Sequence, residues 1–112
     1  MNRKAVSCPV EATLAVINGR WKVLVIHYLL DGVKRFGELR RALIGISHRT
    51  LAQQLREMAA DRLIRRKVYR QVPPKVEYSL TAYGKTLSPV LELMAAWGIK
   101  HRRRIDGAEA RK

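Results

Sequence analysis

The stretch from Ile46 to Met58, ISHRTLAQQLREM, constrains the fold more than any other part of the chain. It follows a turn signal at Gly45, and Ser47 is a good N-cap because its hydroxyl can accept from an early helical N–H. On a wheel stepping about 100° per residue, Leu55 and Met58 fall on either side of Leu51. That narrow apolar seam demands a core to pack against. The opposite side carries Arg49, Gln53 and Arg56, with Thr50 and Glu57 at its edge. An outward face poor in acid and bearing Arg and Gln holds the side chains that hydrogen-bond base edges, Arg to guanine and Gln to adenine. Its first turn also offers unpaired N–H groups and the positive end of the helix dipole to phosphate. Taken by itself, the stretch is better described as a surface helix with a solvated polar face. Its surroundings decide between the two readings.

Immediately upstream, Val33 to Phe36 could form a brief strand and Phe36 to Leu43 a short helix, with Phe36, Leu39 and Leu43 on one face and Arg40 and Arg41 pointing away. The Ile44-Gly45-Ile46 turn joins this helix to the next, giving two short helices around a tight glycine turn, the second polar outward. That is the layout of a helix-turn-helix, expected over residues 35–61. After Asp61 the period becomes strand-like. Ile64 to Val72 and the alternating Val76-Glu77-Tyr78-Ser79-Leu80 read as a hairpin over 64–80, and Pro73-Pro74 marks its bend because proline cannot continue a ladder. From Arg62 to Lys75 there are six basic residues (Arg62, Arg65, Arg66, Lys67, Arg70 and Lys75) and no acid. A charge run is usually a solvated face. On a hairpin directly after a helix-turn-helix it is better explained as a wing lying along phosphate.

The flanks are helical. Residues 1–7 read as a loose basic arm, then Cys8-Pro9-Val10-Glu11 starts a helix with Cys8 at the cap and Val10, Leu14 and Ile17 as its apolar stripe, stopped at Asn18-Gly19. A second helix from about Trp21 to Leu30 is apolar around most of its circumference and should be the central buried helix, with His27 a satisfied core histidine rather than a ligand. Thr81 caps a last helix over 82–104, which Pro89 should kink or locally distort, and the tail from Lys100 should fray. Tyr83, Leu87, Val90, Met94, Trp97 and His101 recur at heptad spacing, with Leu91 and Leu93 beside them. That is more apolar surface than one small domain easily covers, which points to a dimer seam through Leu87, Val90, Leu91, Met94 and Trp97, with packing inside the chain the alternative.

Composition narrows the function classes. The chain has 112 residues, the size of one domain with one core, and its 23 Lys and Arg against 9 acids leave a formal charge of +14. Such an excess is the footprint of a polyanion binder. A membrane-surface protein would share it but needs an amphipathic or lipidated anchor, and none is visible. The longest apolar run, Val23 to Leu30, is too short to span a bilayer, and the N-terminus has no apolar signal region, so a cytoplasmic location is expected. One cysteine excludes an internal disulfide framework. With histidines only at 27, 48 and 101 and few carboxylates, no metal spacing or triad-like cluster can be assembled, so neither a cofactor nor an enzymatic activity is expected.

The segments Cys8-Pro9-Val10-Glu11, Gly19-Arg20-Trp21-Lys22, Arg35-Phe36-Gly37-Glu38-Leu39-Arg40, Ile46-Ser47-His48-Arg49-Thr50-Leu51, Val72-Pro73-Pro74-Lys75-Val76-Glu77-Tyr78 and Leu80-Thr81-Ala82-Tyr83-Gly84 together resemble the HxlR-type winged-helix transcriptional regulators of bacteria and archaea, over roughly residues 8–98. Each motif is weak alone; six in order are specific. The resemblance implies a mainly α fold with a small β-hairpin, a winged helix-turn-helix whose N- and C-terminal helices build a homodimer on double-stranded operator DNA. It implies base contacts from Ser47, Arg49, Thr50 and Gln53 and a wing around Pro73-Pro74. Similar sequences often carry glutamine where this chain has His48, which puts a base contact there in doubt. Phosphate contacts are expected from Arg40, Arg41, Arg56, Arg65, Arg66, Lys67, Arg70 and Lys75. The family includes regulators that sense oxidants or electrophiles through a cysteine near the first helix, where Cys8 sits. A helix N-terminus with Arg3 and Lys4 attracts negative charge there and Glu11 opposes it, so an oxidant sensor and a small, buried cap residue with no signalling role both stand as readings of Cys8, beside a small-molecule effector. A basic RNA- or ribosome-associated protein is the competing class, weakened by the lack of an RNP-like aromatic strand or a GxxG clamp.

Overall fold

The computed structural model describes residues 8–110, with side chains described as far as Gly107; the basic arm expected over 1–7 lies outside them. Helix α1 (Pro9–Ile17) begins at Cys8, in extended conformation, with Pro9 in the first turn, where its missing N–H leaves no bond unmade. Of its expected stripe only Ile17 reaches the core, while Val10 and Leu14 stay exposed. Helix α2 (Trp21–Leu29) is the central one, and Val25 and Ile26 are wholly enclosed. His27 is not a core residue. It is exposed, its ring edge-on to Tyr28 at 5.1 Å, because it falls about 150° around the wheel from the buried arc of Lys22, Val25, Ile26 and Leu29.

Strand β1 (Lys34–Arg35) leads into helix α3 (Phe36–Ala42), whose start is fixed by the Arg35 N–H donating to Glu38 Oε1 at 2.9 Å. Gly45, at φ 94°, makes the turn into helix α4 (His48–Ala60). Ser47 caps α4 in the way its position suggests, accepting from the Thr50 N–H at 3.0 Å. The other end of α4 closes in a Schellman arrangement: Arg62 N–H bonds Ala59 O and Leu63 N–H bonds Met58 O, both at 3.0 Å. The left-handed position there belongs to Arg62, at φ 62°, where glycine is usual.

Strands β2 (Ile64–Tyr69) and β3 (Lys75–Leu80) form the hairpin, and β1 adds on the far side of β3, giving an antiparallel sheet of order β1-β3-β2. The first strand stops at Tyr69, short of the expected Val72, and Pro73 and Pro74 lie in the bend. Pairing runs from Ile64 opposite Leu80 to Tyr69 opposite Lys75. Opposed residues share a face, so Arg66, Val68, Val76 and Tyr78 lie on one side of the hairpin, and Arg65, Lys67, Tyr69, Lys75 and Glu77 on the other.

The last helix is two helices. Helix α5 (Ala82–Lys85) is capped by Thr81, which accepts from the Gly84 N–H at 2.9 Å, and the chain breaks at Thr86-Leu87 before helix α6 (Ser88–Ala110). Pro89 therefore sits in the first turn of α6 and kinks nothing. The helix also continues past Arg104 and through the tail expected to fray from Lys100. Helix α5 is pinned by contacts remote in sequence. Thr81 N–H donates to Leu63 O at 3.0 Å, the Thr81 hydroxyl lies 2.6 Å from Arg62 O, and a Cβ on Gly84 would collide with the Leu63 carbonyl.

One core unites these pieces. Leu51, Leu55 and Met58 of α4, Val25, Ile26 and Leu29 of α2, and Leu39, Leu43 and Leu63 share one buried cluster, each side chain stabilising the fold by about 1.5–3 kcal/mol. The core also encloses a charge: Lys22 of α2 is buried, its Nζ 3.4 Å from Glu57 Oε2 of α4.

Candidate nucleic-acid interface

Helix α4 presents the candidate face because the core takes its other side. With Leu51, Leu55 and Met58 locked inward, Arg49, Gln53 and Arg56 are necessarily outward, and all three are exposed. None of the three makes a hydrogen bond or ion pair within the described residues, so their donors are available to a partner. The helix has one acid, Glu57, and it is turned away from this face toward α2, where Lys22 and the Gln54 amide (3.5 Å) hold it. The pairing therefore stabilises a buried lysine and also removes the negative charge nearest the arginines, a double role that requires knowing how α2 crosses α4.

The other expected base-contact residues differ in freedom. Ser47 accepts from the Thr50 N–H and donates to Thr50 Oγ1 at 2.9 Å, so its hydroxyl proton is engaged in the cap. Thr50 keeps its own proton to donate, although it is half-buried. His48 is the first residue of α4, exposed, with its ring 4.6 Å from that of Phe36. It leans on α3 and ties the start of the outward helix to the helix before it.

The basic set surrounds this face unevenly. Arg40 and Arg41 are exposed at the end of α3, and Arg65, Arg66, Lys67 and Arg70 are exposed on the hairpin. Register splits them. Arg66 is on the side that faces α4, where with Arg56 it borders a cleft, whereas Arg65, Lys67 and Lys75 lie on the opposite side. There Lys67 and Lys75 both stand 4.8 Å from the Tyr69 ring centre, and Lys75 pairs with Glu77 at 3.4 Å. The Tyr69 hydroxyl, then Lys75 and Arg35, hold the Glu77 carboxyl below its ordinary pKa of 4.5 against the opposing pull of burial.

The residues expected at a dimer seam lie on α6 and just before it. Leu91 is 7% exposed and belongs to this chain's own core; Leu87 and Val90 are half-buried. Met94 and Trp97 are exposed, Trp97 stacking on His101 at 4.9 Å, and Leu93, Ile99 and Ile105 are exposed as well. Cys8 is a free thiol, exposed rather than buried, at the start of α1 beside the exposed Val10 and Leu14. Among the described residues no helix is long and apolar enough to cross a membrane, and no group of three or more His, Cys, Asp or Glu side chains is placed to hold a metal ion.

A three-helix core that presents a capped, acid-free helix face beside a two-stranded basic hairpin defines a winged helix-turn-helix, the fold of sequence-specific DNA-binding transcriptional regulators. Residues 16–106 match the HxlR-like helix-turn-helix family, and the chain belongs to it. Its relatives include the HTH-type transcriptional regulator YdeP of Bacillus subtilis (strain 168), 53% identical over 103 residues, which span 92% of this chain and 80% of that one. YtcD of the same organism is 48% identical over 107 residues, 96% of this chain and 85% of YtcD. Among solved structures, the redox regulator HypR in its reduced form superposes with a TM-score of 0.84 at 49% identity, covering 89% of this chain and 99% of that chain. The reduced form of the regulator YodB from B. subtilis gives 0.71 at 38% identity, covering 82% and 91%. Nothing in these findings favours the RNA- or ribosome-associated alternative.

Proposed function

We propose that this regulator binds as a homodimer to a pseudo-palindromic operator, with Arg49 and Gln53 of α4 reading bases, Thr50 assisting, and Ser47 acting mainly as the cap that fixes their register. Phosphate contacts come from Arg40, Arg41 and Arg56 around the helix-turn-helix and from Arg65, Arg66, Lys67, Arg70 and Lys75 on the hairpin. The observation that carries the base-reading assignment is that Arg49 and Gln53 are exposed, free of intramolecular partners, and on a face from which Glu57 is withdrawn. The dimer is supported by α6. From Glu92 to Gly107 every residue except the half-buried Gly98 is exposed, and a helix of that length with so much free apolar surface is marginal in water without a partner. The exposed Val10 and Leu14 of α1 extend that need for cover. Two recognition helices in successive major grooves would lie about 34 Å apart. Catalysis has no part in this reading, and the cytoplasm, where the DNA is, is the expected compartment.

The reading includes Cys8 as a thiol that responds to an oxidant or electrophile. Its exposure and its place at the start of α1 support this, as does likeness to HypR and YodB, the first described as a redox regulator and the second solved after diamide treatment. With one cysteine per chain, two thiols of a dimer can give up two electrons and two protons to the oxidant and join as Cys8–Cys8, or each Cys8 thiol and one small thiol can together give up two electrons and two protons to the oxidant and join as a mixed disulfide. The test is selection of binding sites from random duplexes, followed by affinity of wild type and Cys8→Ser with and without hypochlorite or diamide. A palindromic site, bound less or more tightly only by the oxidised wild type, is expected. Selection yielding no common sequence would overturn base reading, and equal affinity with a demonstrably modified thiol would overturn the switch.

A further inference from the structure

Between α4 and the hairpin lies an open cleft of about 710 Å³, and its composition is unlike the rest of the basic surface. The floor is apolar: Leu55 of α4, Val76 and Tyr78 of β3, and Phe36 of α3. The rim is cationic or titratable: Arg56 and Arg66, from two different elements, with His48 whose ring abuts Phe36. No carboxylate lines it, and neither arginine has an ion-pair partner among the described residues. A cavity of this size is in the range that holds small organic ligands. A floor of ring and branched side chains under two unpaired guanidinium groups fits a flat hydrophobic body that ends in a planar anion, because guanidinium pairs with carboxylate in matched geometry and at close range.

We propose that this cleft is an effector site for aromatic carboxylates, and that its occupant antagonises DNA binding. The inference rests on the DNA-binding reading only in its second half. Arg56 and Arg66 are both among the residues assigned to phosphate, so a carboxylate seated between them withdraws two phosphate contacts at once. The cleft is flanked by the recognition helix and the wing, which must keep their relative position to engage one duplex, and a wedge there acts on both.

The probe is 2-naphthoate, titrated into the protein alone by calorimetry and by amide chemical shifts, with 2-naphthalenemethanol and inorganic phosphate as controls. Saturable binding is expected for the naphthoate and neither control, with shifts centred on the residues of the cleft. Arg66→Gln should weaken it about tenfold, the scale of one charge-assisted hydrogen bond. Ala59→Leu, which narrows the cleft while leaving both arginines, should weaken it at least as much, with its thermal melt reporting that it remains folded. Equal binding of the alcohol would overturn the carboxylate specificity, and unchanged binding in both variants would overturn the site. In the second arm, saturating naphthoate at constant ionic strength should lower operator affinity and flatten its salt dependence by about 0.9 for each phosphate that the arginines no longer neutralise. Naphthoate bound in the cleft without any change in DNA affinity would retain the pocket and overturn the antagonism. A protein that binds naphthoate but no DNA would overturn the DNA reading instead.

Discussion

At the scale of single residues, two backbone positions show how closely the end of α4 is tied to β2 and α5. Gly84 presses its α-carbon against the Leu63 carbonyl, and the obstacle is backbone rather than a side chain that could swing away. Gly84→Ala should therefore destabilise the protein by about 3 kcal/mol or more, read as a fall in the denaturant midpoint. Arg62 is the reverse case: it holds the left-handed position of a Schellman cap at a cost that glycine does not incur. Arg62→Gly should raise stability by up to about 1 kcal/mol, less than the full relief because glycine also loosens the unfolded chain. A drop in stability would show that the arginine side chain contributes something its backbone geometry does not reveal. On the DNA face, Arg49→Ala and Gln53→Ala should each lose about 1–3 kcal/mol at particular base pairs, whereas Arg65→Ala should weaken all duplexes alike. Identical, sequence-independent losses from Arg49→Ala and Arg65→Ala would contradict the assigned roles.

At the scale of elements, legibility in the sequence depends on whether the signal is local. Helix α4 is legible because its cap and its seam are both contained in Ser47 to Met58. The hairpin is legible from alternation and from Pro73-Pro74, but the division of its basic residues between two faces needs the register of Ile64 against Leu80. The last two helices read as one kinked rod because Pro89 suits a kink and a first turn equally well; what decides is the seating of Gly84 on Leu63, which no local pattern announces. His27 misleads for a related reason, since an apolar run hides which arc of a helix the core covers. The Lys22–Glu57 pair is invisible in the sequence because it depends on how α2 crosses α4. The hairpin also makes a pH-dependent prediction. Because the folded Glu77 pKa is depressed, first by the Tyr69 hydroxyl, its contribution is present above the unfolded value near 4.5 and is lost as pH falls through the lower folded value. Carboxyl NMR titration should place Glu77 below 4.5, and Tyr69→Phe should return it toward the ordinary value and remove that contribution from the stability at neutral pH.

At the scale of the whole molecule, a charge of +14 and a helix that outruns its own core are both features awaiting partners. Trp97→Asp should leave the core intact, because the side chain is 67% exposed, yet place a charge in the expected seam. Sedimentation should find the wild type as a dimer and the variant as a folded monomer; a wild type that is monomeric at micromolar concentration would overturn the proposed assembly. The unsupported reach of α6 has a further consequence for the cell's arithmetic. If the second half of that helix is ordered only when two copies meet, then the amount of chain present sets how much of it is competent. Site occupancy then rises with the square of chain concentration at low abundance and becomes linear once dimers dominate. A regulator built this way ignores its own basal leakage and responds to a few-fold rise in its synthesis, so its threshold is written in the length of one helix.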